Sequence, residues 1–325
     1  MLPGLVISAI SLAVVFYFAD LEELIAALRL ADYRLILLGI AMSVVWLAVR
    51  GLAWHTLLQE KAPYKTVFNT LNEGYLLNNI LPFRLGEIGR AVLLGRKVNL
   101  GFWQVLSSIL IERALDLALA AGLLLSTIPF VVGAAWATQG AFLSGVIVLS
   151  GLVFLYLLAR NREWTEQRFD SLGKRWSVFN KVGGGRLPAF LTGLTVLTEG
   201  GLFLRAVALM ILDWVIAIFQ YYVILLAFFP DAEFLWAAFA LGVAALGIAA
   251  PSSPGAVGVL EAALVGALSL FNLNPSVSLA FALTVHLTQY LTTGVLGAYA
   301  LSKDGETLSG LYRSARSLLN KASPS

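Results

Sequence analysis

Cysteine is absent from this chain of 325 residues, and charged residues are scarce, at 13%. The lack of cysteine excludes disulfide bonds and thiolate chemistry. Soluble domains usually carry about 25% charged residues because their whole surface faces water. This chain instead has 59% hydrophobic residues, and its longest polar stretch is residues 160–186. The composition excludes a large extramembrane catalytic domain within the chain and predicts an integral membrane protein.

Sequence motifs for common catalytic chemistry are also missing. The two histidines, His55 and His286, are far apart and belong to no HExxH zinc motif. The chain has no phosphate-binding P-loop, no GxSxG nucleophile elbow and no dinucleotide fingerprint. We therefore expect no metal, no cofactor, no nucleic-acid partner and no covalent catalysis.

Apolar stretches long enough to cross a bilayer occur along the whole chain. They predict an all-α polytopic membrane protein with about six full transmembrane helices, in residues 5–19, 35–58, 103–136, 143–158, 206–229 and 277–301. Arg50 lies inside the second of these stretches. We expect its side chain to extend along the helix and reach the membrane interface.

Two further regions are too short or too interrupted to cross the membrane. Residues 66–81 are mixed in polarity and stop at Pro82. A helix over these residues would extend only about 24 Å, at about 1.5 Å per residue. Residues 234–250 and 256–271 are separated by a Pro-Ser-Ser-Pro-Gly sequence. Both regions predict re-entrant helical hairpins, with turn residues Pro82, Gly86, Pro251, Pro254, Gly255 and Gly258.

Positive charge is concentrated in a few segments. Residues 160–186 contain seven basic and three acidic residues, and residues 84–100 contain four basic and one acidic. Such loops favour the cytoplasmic side of the membrane. The pattern predicts one transmembrane domain over residues 1–302, a cytoplasmic linker at 160–188 and a cytoplasmic tail at 303–325. Both termini are then expected in the cytoplasm, beneath a prokaryotic plasma membrane.

The two hairpins belong to two halves with the same layout. Residues 34–132 and residues 205–301 each contain a span, a hairpin and a span, in opposite orientations. Both turns present proline, then glycine, then glutamate, at Pro82–Glu87 and Pro254–Glu261. Transporters often contain inverted repeats whose broken helices meet near the membrane midplane. We therefore predict an inverted repeat, while chance similarity remains the alternative.

Three charged residues, Glu112, Arg113 and Asp116, lie inside the third predicted span. Glu112 would be about 15 Å deep if that helix enters near Phe102, close to the midplane of a core about 30 Å thick. Charges at that depth are costly, and they usually mark a substrate or ion pathway. The alternative is an ion cluster that only holds helices together.

Arg84, Glu87 and Arg90 follow Pro82 at intervals of three residues. If a helix begins there, its free backbone N–H groups and the arginine side chains form a site for a phosphate-sized anion. The alternative is a positively charged cytoplasmic loop. Three further candidates are Glu261, expected to pair with Arg84 or Arg113, and Asn78 and Asn79, expected to cap or line the first hairpin.

Three motifs occur in order along the chain: N-x-x-L-P-x-R-x-G-E-x-x-R at 78–90, E-R-x-x-D at 112–116 and P-x-x-P-G-x-x-G-x-x-E at 251–261. Together they resemble the lysylphosphatidylglycerol synthase transmembrane-region family, also called flippase-like. In two-part members of that family this region precedes a soluble aminoacyl transferase domain. The present chain ends soon after its last predicted span, so lysyl transfer is not expected of it. The resemblance implies the handling of membrane lipids.

These observations lead to a hypothesis of lipid translocation. A flippase or scramblase would carry an anionic phospholipid or a polyprenyl-phosphate-linked lipid. The head group would be received by Arg84, Arg90 and Arg113, and these arginines would be balanced in the empty site by Glu87, Glu112, Asp116 and Glu261.

Two alternatives belong to other classes. One is an enzyme of lipid head groups, with Glu112 or Asp116 as general base. The other is a lipid-binding scaffold without transport, which presents its basic segment 160–186 to a partner such as a lipid-modifying enzyme or a glycosyltransferase.

Overall fold

The computed structural model describes residues 2–81, 85–131, 135–175, 186–248 and 253–305. Regular structure in these ranges is helical. The α-helices are α1 (Leu2–Phe18), α2 (Leu21–Leu30), α3 (Tyr33–Leu57), α4 (Tyr64–Ile80), α5 (Leu85–Lys97), α6 (Phe102–Val131), α7 (Ala135–Arg160), α8 (Arg162–Arg175), α9 (Arg186–Leu194), α10 (Gly200–Leu226), α11 (Phe234–Gly247), α12 (Val259–Ser269) and α13 (Pro275–Lys303). Short 3₁₀ turns lie at Thr195–Leu197 and Pro254–Ala256.

Four helices, α3, α6, α10 and α13, are long and apolar enough to cross a membrane. A fifth span results if α7 and α8, which are bent by 91° relative to each other, count as one. The prediction of an all-α polytopic membrane protein is therefore confirmed. The predicted number of six spans is higher than the described residues support. One reason is that α1 has 17 residues, whereas a crossing needs about 20.

Two helical hairpins interrupt the series of long helices. The first consists of α4 and α5, with 17 and 13 residues. The second consists of α11 and α12, with 14 and 11 residues. Each leg is too short for a crossing of about 20 residues, and these lengths favour re-entrant elements. The predicted turn residues Pro82 and Pro251 and the predicted head-group-binding residue Arg84 lie outside the described residues.

The long helices of the two halves pack against each other. Helix α3 runs antiparallel to α10, since Arg50 contacts Asp213 at 3.2 Å while Gln220 donates a hydrogen bond to Ser43 at 2.6 Å. This contact joins the first long helix of one half to the first long helix of the other.

Each hairpin also packs on the opposite half. Helix α4 lies along α13, where a β-carbon on Gly297 would be 2.5 Å from the carbonyl oxygen of Asn72. Helix α11 lies along α6, where a β-carbon on Gly242 would be 3.0 Å from the side chain of Leu124. The eight helices α3–α6 and α10–α13 thereby enclose a shared central space.

Large apolar side chains cover the outside of the bundle. Leu37, Val153 and Val295 are exposed, and an exposed apolar surface of this kind marks contact with other apolar material. In a membrane protein that material is the hydrocarbon of the bilayer. The charged groups in the middle of the long helices, such as Arg50, Glu112 and Asp213, are instead buried inside the bundle.

Candidate functional site

A cavity of about 500 Å³ lies at the centre of the eight enclosing helices. One part of its wall is charged, and the charged side chains are Arg50, Glu87, Arg113, Asp116 and Asp213. Another part is apolar and includes Leu241 and Ala244 of α11 and Leu260 of α12. The cavity is therefore amphipathic.

Arg50 is the centre of the charged wall. It is buried, and its two terminal nitrogens donate to Oδ1 of Asp116, each at 2.9 Å. The same guanidinium lies 3.2 Å from Asp213 and 3.7 Å from Glu112, and its carbon is 5.5 Å from the ring centroid of Trp46. The expectation that Arg50 reaches the interface is wrong, because three carboxylates hold it inside the bundle.

Arg90 and Glu112 form a second layer behind the cavity wall. Arg90 donates to the two carboxylate oxygens of Glu112 at 2.7 and 3.4 Å. Its guanidinium lies 3.9 Å from the ring centroid of Trp54. Arg90 and Glu112 are both buried, and neither lines the cavity. A planar guanidinium suits this combination of a bidentate ion pair and ring stacking.

Arg113 and Asp116, one turn apart on α6, reach the cavity surface. Arg113 contacts Asp116 at 3.2 Å, Glu87 at 3.6 Å and also Glu112. Asp116 additionally accepts a hydrogen bond from the indole nitrogen of Trp214 at 3.1 Å. The side chain of Arg113 is 20% exposed, more than that of Arg50 or Arg90, so it is the most accessible of these three guanidinium groups.

The charge of this cluster is nearly balanced. Among the described residues, three arginines (Arg50, Arg90 and Arg113) contact four carboxylates (Glu87, Glu112, Asp116 and Asp213). Each of the three arginines is paired in this state. An anion that enters the cavity must consequently compete with a carboxylate for a guanidinium.

Glu261 lies in the second hairpin and contacts His286, not Arg113. Its Oε1 is 2.5 Å from Nδ1 of His286, and its Oε2 accepts a hydrogen bond from the backbone N–H of Gly258 at 2.7 Å. The other ring nitrogen of His286 is 3.0 Å from the carbonyl oxygen of Gly255. The expected partnership of Glu261 with Arg113 is absent because Arg113 contacts the carboxylates of the first half.

The two asparagines of the first hairpin line the cavity and have different partners. Asn78 Oδ1 accepts a hydrogen bond from the N–H of Gly86 at 2.8 Å, and so joins the two legs of the hairpin. Asn79 donates to Thr293 at 3.0 Å, and so joins the hairpin to α13. Both side chains position the first hairpin beside the cavity.

Two residues of the charged wall, Arg50 and Asp213, were not among the predicted site residues. Arg50 and Asp213 are charged residues within apolar stretches, and a charged residue in such a stretch is by itself a sign of a functional site. Glu73, Lys97 and Asp304 form a separate ion cluster away from the cavity, in which Lys97 contacts Glu73 at 2.8 Å and also Asp304. Within the described part of the chain, no group of three or more His, Asp or Glu side chains is arranged to hold a metal ion.

Comparison with known proteins adds a family match. A family model described as the lysylphosphatidylglycerol synthase TM region matches residues 1–297. A UPF0104 membrane protein of Methanothermobacter thermautotrophicus is 26% identical over 298 residues, covering 85% of each chain. A second one from that organism is 22% identical over 323 residues, 94% of this chain and 96% of the relative. No solved structure matches the chain significantly.

Proposed function

Because the chain belongs to the lysylphosphatidylglycerol synthase transmembrane-region family, we propose that it moves a lipid with an anionic head group between the two leaflets of the membrane. The observation that carries this proposal is the amphipathic cavity of about 500 Å³ inside the bundle. Small-molecule sites typically occupy about 300–1,000 Å³. The cavity has room for a head group, and its wall is polar on one part and apolar on another, as a lipid is.

Arg113 and Arg50 are the arginines that would contact the head group, because they line the cavity. Guanidinium groups bind phosphate oxygens through paired, charge-assisted hydrogen bonds. The phosphate would take the place of Asp116, which both arginines contact in this structure. Arg90 would act indirectly, by holding Glu112 behind the wall.

The predicted inverted repeat would support movement across the membrane as well as binding. If a two-fold axis relates α3 to α10, the Ser43–Gln220 contact is the counterpart of the Arg50–Asp213 contact: Gln220 corresponds to Arg50, and Ser43 corresponds to Asp213. The packing of α4 on α13 has a counterpart in that of α11 on α6. Rocking of one repeat against the other is a common way to expose a central site to each side in turn.

The proposal also covers the cargo, the partner enzymes and the orientation of the chain in the membrane. The cargo class is an anionic phospholipid or a polyprenyl-phosphate-linked lipid, supplied or used by a lipid-modifying enzyme or a glycosyltransferase. The basic residues of 160–186 would place that linker and both termini on the cytoplasmic face of a prokaryotic plasma membrane. The chain itself would transport its cargo without covalent chemistry.

The test measures translocation in liposomes that contain the purified protein and an acyl-labelled fluorescent lipid. Wild type is compared with Arg113→Ala and with Arg205→Ala, a matched control that removes an exposed arginine paired with Glu60. A hydrogen bond to a charged group contributes about 1.5–3 kcal/mol. We therefore expect Arg113→Ala to slow translocation of phosphatidylglycerol or polyprenyl phosphate roughly tenfold or more, and Arg205→Ala to have no effect.

A neutral diacylglycerol analogue serves as the cargo control. It has no charged head group to take out of water, so it should cross at the same rate in liposomes with any of the three proteins and in protein-free liposomes. Translocation at the wild-type rate by a folded Arg113→Ala protein would contradict the role of the arginine. The absence of protein-dependent translocation of both anionic lipids would contradict transport itself.

A further inference from the structure

His286 is held between two hydrogen-bond acceptors. One ring nitrogen is 2.5 Å from a carboxylate oxygen of Glu261, and the other is 3.0 Å from the carbonyl oxygen of Gly255. A neutral imidazole has a single N–H group, whereas the imidazolium has two. The two contacts can both be hydrogen bonds only when the pair carries one more proton than a carboxylate and a neutral imidazole.

The extra proton could instead reside on the carboxylate. The second oxygen of Glu261 already accepts a hydrogen bond from the N–H of Gly258. A proton on the first oxygen would be donated to His286 Nδ1, and Nε2–H could then still reach Gly255. Both arrangements contain the same extra proton. Imidazole is a stronger base than a carboxylate, so the ring holds this proton.

Few other ionisable groups lie close to the Glu261–His286 pair. The ring of Tyr290 contacts that of His286, with 4.7 Å between the two centroids. Helix α11 has no ionisable residue, and the charged residues of α2 lie at the start of α13, where Asn274 contacts Glu23. The charged groups across the cavity are Arg50, Glu87, Arg113, Asp116 and Asp213, and the remaining tyrosines of its wall are Tyr75 and Tyr221.

The shared proton has a structural consequence for the turn of the second hairpin. Gly255 and Gly258 have positive φ angles of 65° and 86°, and each is bound to the Glu261–His286 pair by one of the hydrogen bonds above. On the other side, the N–H of Ser253 donates to Ser8 of α1 at 3.1 Å. Loss of the proton leaves His286 with one N–H for two acceptors, so its contact to Glu261 or its contact to Gly255 must break. The ionised carboxylate is the stronger acceptor, so the contact to Gly255 in the turn is the one that is lost.

We propose that Glu261, His286 and the carbonyl of Gly255 form a proton-binding site that fixes the turn Ser253–Gly258 on α13 when protonated and releases it when the proton leaves. His286 lines the central cavity, so the proton exchanges with water there. The link from this site to lipid movement rests on the proposed function, because the cavity is the site at which the lipid would bind.

Histidine protonation can be observed directly, since the chain has only two histidines. In a His55→Gln protein with ¹⁵N-labelled histidine, the imidazole signals report His286 alone. We expect both ring nitrogens to be protonated at neutral pH and one of them to lose its proton at higher pH. In His55→Gln/Glu261→Gln, one nitrogen should already be unprotonated at neutral pH. A single protonated nitrogen across pH 5–9 in the His55→Gln protein would overturn the proposal.

Release of the turn can be observed separately, because the chain has no cysteine. Val257, in the turn, is 38% exposed, and a Val257→Cys protein is labelled with a maleimide in nanodiscs at a series of pH values. Leu204→Cys, at an exposed position on α10, corrects for the ionisation of the thiol. The corrected rate should rise roughly tenfold as His286 loses its proton, as expected for one lost hydrogen bond. With His286→Gln added, the corrected rate should not depend on pH; an unchanged rate in both proteins would overturn release of the turn.

Neither readout requires lipid movement, so the two proposals can fail independently. If both measurements succeed while liposomes show no translocation, the proton site stands and the proposed transport fails. If translocation occurs with the same pH dependence in wild type and His286→Gln, transport stands and its control by this site fails.

Discussion

The two hairpins have the same layout and different chemistry. The first is anchored by arginine: Arg90 contacts Glu112, and Glu87 contacts Arg113. The second has a single ionisable residue in its helices, Glu261, which contacts His286. Arginine stays charged at all ordinary pH values, whereas histidine changes charge near neutrality. One hairpin thus contributes a permanent ion cluster and the other an ion pair that a proton can switch.

The largest expected effect comes from replacing the glutamate in the ion pair of each hairpin, Arg90–Glu112 for the first and Glu261–His286 for the second. Glu112→Gln leaves Arg90 buried without its carboxylate and removes a shared partner of Arg50 and Arg113. Breaking a buried ion pair typically costs about 3–5 kcal/mol. Glu261→Gln should cost less, since His286 can become neutral. Thermal unfolding in detergent measures the stability of both variants. The control is Glu60→Gln, in an exposed ion pair, whose stability should be within about 1 kcal/mol of that of wild type. Equal losses for the two buried glutamates would remove the distinction between the hairpins.

A smaller effect is expected at the turn of the second hairpin. A β-carbon on Gly255 would be 1.4 Å from the hydroxyl oxygen of Tyr290, at a residue with φ of 65°. Gly255→Ala should therefore destabilise the protein by about 1–3 kcal/mol, the usual cost of such strain. Gly266→Ala is the matched control, because nothing lies within 4 Å of the added carbon and alanine favours the helix by up to about 1 kcal/mol. A Gly255→Ala protein that melts at or above the temperature of Gly266→Ala would show that Tyr290 does not constrain the turn.

The smallest effect concerns the turn of the first hairpin. Asn78→Ala removes the hydrogen bond to the N–H of Gly86, which should cost about 0.5–1.5 kcal/mol. Hydrogen exchange of the Gly86 amide should become faster, while that of Gly258, bound to Glu261, should stay unchanged. Faster exchange at both amides would mean that the two turns open together.

Sequence patterns predicted the long helices well because apolar length is a local property. Four of the six predicted apolar runs correspond to α3, α6, α10 and α13, the four helices that meet the criteria for a span. Helix α5 is harder to recognise, since its arginines and glycines resemble a loop. Its helical form depends on packing against α4 and α6.

Side-chain partners were less predictable because they join distant parts of the chain. Arg50 and Asp116 are 66 residues apart in sequence, and Trp214 and Asp116 are 98 apart. The motifs identified Glu112, Arg113 and Asp116 as neighbours on one helix, but the positions of Arg50 and Asp213 follow only from the antiparallel packing of α3 on α10. The pairing of Glu261 with His286 likewise requires the position of α13.

The ion pairs of the cavity wall would have a consequence for how long a lipid stays bound under the proposed function. Asp116 contacts the guanidinium groups of Arg50 and Arg113, so it would act as an internal competitor for any phosphate. The net binding energy is then only the difference between two similar contacts. A pathway conducts quickly when its sites attract the cargo and also let it leave. An aspartate that returns to its arginines as the head group departs would shorten the residence time and favour turnover over storage.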